Sequence, residues 1–284
     1  MELNHILLFM AIASAGIVLL RSWRMRSRAP ALCAIAVLVI SGISWLLLRP
    51  AAGTIAALAW LSFLFVPTIF RNRILEKRAG LRPFALAISP AVMIIVAANA
   101  ILFAVEIFRG GATDPQTLHR LGELDTDAVQ YSHEYWRLFT ALFLHYGIVH
   151  LLFNLCALVM LGPPLEREIG SVAFVACYLI AGIGSSFSVF ALTLLHLSPP
   201  LQLVGASGSV MGIVGAWAGI LLRGRHAPLA KMRLRNIGVI VLIQVAFDLI
   251  TPQVSMAAHL GGLVTGFVAA LFVSVKEPRP WPNQ

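Results

Sequence analysis

The chain has 284 residues, of which 59% are hydrophobic and only 12% charged, against roughly 25% charged in a soluble domain. That balance excludes an ordinary soluble globule. Runs of about 16–22 apolar residues, near the ~20 that a helix needs to cross a bilayer, predict an all-α polytopic membrane protein rather than a β-barrel of short alternating strands. The formal net charge of +9 does not point to nucleic acid, because the basic residues sit in short loops between apolar runs, where membrane orientation places them.

The first apolar run covers 6–20. Its basic cluster (Arg21, Arg24, Arg26, Arg28) follows it instead of preceding it, so it reads as a span and not as a signal peptide. Further runs cover 31–48, 54–70 and 84–108. The longest polar stretch then extends from Arg109 to Arg137, and a connection of that length in a bundle is often functional. The run over 138–161 starts as loop, with the span proper near Gly147. It is followed by runs over 172–195, 203–222, 237–250 and 256–275, which makes about nine spans in all. Cys33, Cys156 and Cys177 all fall inside apolar runs, an odd number that reads as packing and not as a disulfide framework.

Alternating the spans puts only Arg49, Arg109, Arg120 and Arg137 of the 21 Lys and Arg residues on the outer side. The positive-inside rule then places the amino terminus outside, the carboxyl terminus in the cytoplasm, and the Arg109–Arg137 stretch outside. Ser207 follows an outer turn and lies in the outer part of the membrane.

Polar side chains at membrane depth are costly, so each is a candidate for function. Ser207 stands in Gly205-Ala206-Ser207-Gly208 at the head of a span, where free N–H groups and the helix dipole favour negative charge. The motif differs from the hydrolase elbow G-x-S-x-G, because position 209 is Ser. His150 and Asn154 are one turn apart on one helix face. His259 begins the last span, with Gly262 and Gly266 on its own face, while Gly261 is rotated roughly 100° away. Gly208, Gly212, Gly215 and Gly219 form a matching ridge on the Ser207 helix. Two such small-residue faces can pack closely and would bring His259 to Ser207. Ser207 then reads as nucleophile and His259 as general base. His150, Asn154 and the Ser207 N–H read as oxyanion donors. No Asp or Glu stands where a third triad member is expected. Asp248, at the outer end of the preceding span, could orient His259, but the reading is a Ser–His dyad.

With Trp136-Arg137, His145-x4-His150-x3-Asn154, Gly162-x3-Glu166-x3-Gly170, Gly205-Ala206-Ser207-Gly208 and Ala258-His259-Leu260-Gly261-Gly262 with Gly266, the chain resembles the rhomboid intramembrane serine proteases. The resemblance covers about residues 84–275, six spans in the family's order. It implies a six-helix bundle, a Ser207–His259 dyad, an oxyanion site using His150 and Asn154, and an outer loop partly embedded in the leaflet and pinned by Arg137. Trp136, Gly205, Gly208, Gly262 and Gly266 would serve packing.

The expected organisation is extra amino-terminal spans over 1–83, a protease domain over 84–275, and a short cytoplasmic tail over 276–284. The expected activity is cleavage of the transmembrane segments of other proteins near the outer leaflet of the cell membrane. The expected partners are those substrates and the lipid bilayer, without nucleic acid. No metal or cofactor is implied, since neither His-Glu-x-x-His nor Gly-x4-Gly-Lys-Ser/Thr occurs. A catalytically inactive rhomboid-like binding protein would share the fold, although the presence of both Ser207 and His259 argues against it. A transporter would show an inverted repeat, and none is visible.

Overall fold

The computed structural model describes residues 89–224, 230–250 and 255–275, and the single residues 12 and 38. The three leading predicted spans otherwise lie outside the described residues. The chain divides into two compact units, of which Ala85–Arg279 holds the long described helices.

Among its described residues this unit has six long helices: α1 (Pro90–Arg109), α5 (Gly147–Ile169), α6 (Ser171–Leu194), α7 (Ser207–Arg223), α8 (Ala230–Ile250) and α9 (Met256–Leu271). They match the six apolar runs in order. Helices α1, α5 and α6 are long and apolar enough to cross a membrane, and α7 and α9 are shorter apolar helices. At 1.5 Å per residue, the 17 residues of α7 extend roughly 26 Å, less than the ~30 Å hydrocarbon layer.

The polar stretch after α1 is not irregular loop. It folds as α2 (Pro115–Leu121), α3 (Thr126–Tyr131) and α4 (Arg137–Thr140), with a 3-10 turn over Ala141–Phe143. Local chemistry explains two of these starts. Asp114 accepts from the Thr117 N–H with Pro at the first helical position, and Asp125 accepts from the Asp127 and Ala128 N–H groups. Between α2 and α3, the two-residue strand β1 (Leu124–Asp125) pairs antiparallel with β2 (Gln202–Leu203), just ahead of α7. Residues of the polar stretch after α1 and the approach to Ser207 are thereby joined in one small sheet.

Arg137 holds this region together from inside. It is 4% exposed, donates to the carbonyls of His119 (2.8 Å) and Glu123 (3.1 Å), and pairs with Glu134. Its guanidinium lies 4.7 Å from the Trp136 ring centre. Burial lifts the Glu123 carboxyl to about 7, with Asp125 adding to the rise and Arg137 opposing it. The carboxylate in contact with the Arg137 guanidinium is Glu134.

The Gly162-x3-Glu166-x3-Gly170 motif closes the opposite end. Ser89 gives α1 no side-chain cap, which leaves helix-start N–H groups to be satisfied in the interior. Glu166 of α5 supplies the acceptors: Oε1 takes the Ala91 N–H at 3.0 Å and Oε2 the Val92 N–H at 3.1 Å, while the Ser171 hydroxyl donates to Oε1 at 2.6 Å. Val92, Leu158, Phe174, Tyr178 and Ile213 form the centre of the apolar core beside it.

Helices α7 and α9 meet along their glycines. A methyl group on Gly262 would run into the Gly208 carbonyl, with the Gly208 carbonyl carbon at 2.8 Å and its α-carbon at 3.1 Å, and one on Gly266 would strike the Gly212 backbone. Gly262 and Gly266 of α9 thus face Gly208 and Gly212 of α7 at close range. The contrast drawn with Gly261 needs correction. Its added methyl would lie 2.5 Å from the Ser188 Cβ, so that side of α9 is closely packed too, against α6.

Candidate active site

The site lies at one end of the bundle and is assembled from helix termini. Gly205 has φ +132°, a conformation that L side chains rarely adopt. Its α-carbon also carries the His150 ring: an added Cβ would meet His150 Cε1 at 2.7 Å and Nε2 at 2.8 Å. The Gly205 N–H donates to the Ala141 carbonyl at 2.9 Å, which fixes the turn. Ala206 caps α7, and Ser207 is its first residue. The Ser207 N–H thus belongs to the first turn, whose donors have no intrahelical partner.

His259 Nε2 lies 2.9 Å from Ser207 Oγ. The imidazole is buried at 4% exposure in the first turn of α9, whose start is capped by the Ser255 side chain through the Ala258 N–H. Gly208 and Gly262, on the two helices, account for the short approach.

The structure departs from a two-residue site. Both carboxylate oxygens of Asp248, near the end of α8, lie 2.9 Å from His259 Nδ1. Gln244, one turn earlier, donates to Asp248 Oδ1 at 2.8 Å and lies 3.1 Å from the same ring nitrogen. The expectation that no carboxylate occupies the third position is therefore wrong. Spacing could not show it, because Asp248 and His259 stand on different helices and the facing of their side chains depends on how those helices rotate against one another. Gln244 went unread altogether, although a Gln and an Asp four apart in an apolar run are a visible polar pair.

His150 and Asn154 sit on the next helix. The Tyr146 N–H donates to His150 Nδ1 at 3.3 Å, so the proton of the neutral ring is on Nε2, the atom resting against Gly205. Asn154 spends one amide N–H on the His150 carbonyl at 2.9 Å and keeps the second. His145 is fully buried with its ring centre 5.3 Å from that of His150. Its backbone N–H donates to Glu106 Oε1 at 2.9 Å, a buried carboxyl of α1 that sequence reading did not single out. Among the described residues, no three or more His, Cys, Asp or Glu side chains gather as a metal site.

Residues 132–276 match the Rhomboid domain family, about half of the chain and every element of this site except Glu106. The chain belongs to the rhomboid family. Rhomboid relatives include the rhomboid protease GluP of Bacillus subtilis, 35% identical over 181 residues that make up 62% of this chain and 33% of that protein. RHOMBOID-like protein 1 of Arabidopsis thaliana is 32% identical over 234 residues, 72% of this chain and 59% of its own length. The mitochondrial RHOMBOID-like protein 6 of the same plant is 36% identical over 166 residues, 58% of this chain and 52% of that protein. The chain thus spans between a third and three fifths of the length of these rhomboid relatives. Membership of the rhomboid family and the apolar helices make this a membrane-embedded protein.

Proposed function

We propose that this chain is an intramembrane serine endopeptidase that cuts transmembrane segments of other proteins near the outer leaflet, with residues 84–275 as its protease domain. The observation that carries the reading is the 2.9 Å approach of His259 Nε2 to Ser207 Oγ. The likeness to a relative named as a rhomboid protease supports it.

In the proposed reaction Ser207 Oγ attacks the scissile carbonyl carbon while its proton passes to His259 Nε2. The oxygen of the tetrahedral intermediate takes hydrogen bonds from the Ser207 N–H, the His150 Nε2–H and the second Asn154 N–H. The C–N bond then breaks, and His259 returns the proton to the leaving amine. Water attacks the resulting ester, giving its proton to His259. Ser207 recovers that proton as the new carboxyl product leaves. Helix α7 is shorter than the apolar layer and carries Arg223 in its last turn, so with that charge at the cytoplasmic surface its amino end would fall below the outer surface and the attack would occur within the membrane. Purified protein in detergent with a labelled transmembrane substrate should give two fragments, and Ser207→Ala should give none. Equal cleavage by both would refute the reading.

Asn154→Ala is expected to lower kcat by about 10- to 1000-fold, the upper end being typical of one lost oxyanion donor, with little change in KM. His150→Ala should cost at least as much. A rise in KM alone would make Asn154 a substrate-binding group.

The orientation that fits this site has residues 110–135 and the amino terminus outside and the carboxyl terminus in the cytoplasm of a cell-membrane protein. With native cysteines removed, a cysteine at position 120 should react on intact cells with an impermeant reagent and one at position 226 should not. The reverse pattern would invert the topology.

A further inference from the structure

We propose that Asp248, steadied by Gln244, is the positioning residue of the site, holding His259 in the one tautomer that can accept the Ser207 proton. The proposal deepens the protease reading and rests on it for its kinetic consequence.

An ionised carboxylate only accepts hydrogen bonds, while each ring nitrogen of a neutral imidazole is either donor or acceptor. Both Asp248 oxygens are 2.9 Å from Nδ1, so Nδ1 must carry the proton. Nε2 is then left with a bare lone pair, 2.9 Å from Ser207 Oγ, which is where a general base needs it. The Gln244 amide nitrogen also lies 3.1 Å from Nδ1, but an N–H given to a bare Nδ1 would leave both Asp248 oxygens facing its lone pair with nothing to accept. That nitrogen donates to Asp248 Oδ1 at 2.8 Å, so the amide serves the carboxylate and leaves Nδ1–H to Asp248.

Burial makes this arrangement specific. Asp248 is 6% exposed and His259 4%. A carboxylate in such a place is expensive unless it is both paired and hydrogen-bonded. The Nδ1–H of His259 and the Gln244 amide meet that need from one side chain on α9 and one on α8. When His259 takes the Ser207 proton it becomes a cation, and the nearest full negative charge is Asp248. The group that selects the resting tautomer thus also stabilises the charged form on the reaction path. A structural salt bridge would have no reason to leave the second ring nitrogen facing a hydroxyl.

Asp248 stands on a helix that carries neither the nucleophile nor the base. Catalytic competence would therefore depend on α8 staying seated against α9, a requirement that a two-residue site lacks.

The test uses the full-length protein in detergent, labelled with 15N-histidine, as wild type, Asp248→Asn and Asp248→Glu. In the wild type the His259 signals should be those of the Nδ1–H tautomer. Asparagine can offer an N–H to Nδ1, so Asp248→Asn should lose that tautomer in part or whole, and Asp248→Glu should restore it in part. In cleavage assays Asp248→Asn should lower kcat by 10²–10⁴-fold, the upper end being the known cost of the wrong tautomer at a Ser-His-Asp site, with KM within about twofold. An unchanged tautomer in Asp248→Asn overturns the proposal, as does wild-type kcat. A fall in thermal stability with kcat intact in the folded fraction also overturns it. The spectroscopic result needs no turnover. A wild type that shows the Nδ1–H tautomer and its loss in Asp248→Asn, yet cleaves nothing, would uphold the positioning role and sink the protease reading alone.

Discussion

Ser207→Ala and His259→Ala are each expected to abolish cleavage, with the double variant no slower than either. At 2.9 Å the two side chains share one proton. A serine hydroxyl is a weak nucleophile until a neighbouring base accepts that proton, and the later tasks of His259, protonating the leaving amine and activating water, arise only after Ser207 has attacked. Removing either member therefore removes the same step. Residues that act as a unit are grossly non-additive, and the loss from either one is on the order of 10⁶ in kcat at a serine protease site. The residual rate in every variant should be similar, because the oxyanion donors on α5 and the Ser207 N–H remain. Single-turnover rates on one labelled substrate, with each protein checked for folding, decide the matter. Losses that multiply in the double variant would show that the two residues work separately.

The second large effect is expected at a residue that touches no reacting atom. Gly262→Val should remove nearly all activity. Its added atoms would collide with the backbone of Gly208, one residue after the nucleophile, and a backbone cannot swing aside as a side chain does. The only relief is to move α9 away from α7, which carries His259 with it. A displacement of about 1 Å can cost a hundredfold, so even Gly262→Ala should lose roughly that much. Gly261→Val presses on Ser188 of α6 instead, and should cost stability before it costs rate in the folded fraction. Gly238→Ala is the neutral control, since nothing lies within 4 Å of an added Cβ there. Initial rates alongside thermal stability separate these cases. If Gly261→Val matched Gly262→Val in rate loss at equal stability, the closeness of α7 and α9 would not be what positions His259.

The long helices were legible because a membrane span is announced by composition alone, and the order of the six described helices follows the apolar runs. Their ends were less so. Helix α5 runs to Ile169, past Pro163 and Pro164, and α8 starts at Ala230 ahead of Lys231, Arg233 and Arg235. Hydropathy marks where lipid could be, not where backbone hydrogen bonding stops. The polar stretch after Arg109 has no apolar run to announce its helices, and their starts are marked only by local signals, Asp114-Pro115 and Asp125. Ser207, His259 and the glycine face could be singled out in the sequence because each depends on spacing within one helix. The contact of Asp248 with His259, the contact of Gly261 with Ser188 and the capping of α1 by Glu166 depend on how different helices face each other, which no periodicity along one segment encodes.

The parts of the site leave the ribosome in a fixed order: His150 and Asn154 first, then Ser207, then Asp248, and His259 on the last described helix. Chains generally fold from the amino-terminal end as they are made. A growing chain that already carries Ser207 therefore holds only an ordinary alcohol until α9 has entered the bundle and its glycines have closed on those of α7. On the proposed reading, the newborn protein cannot cut the other unfinished membrane segments crowded around it at the site of insertion. On that reading its chemistry switches on only when α9 has joined the bundle, and insertion of that helix is itself the activating step.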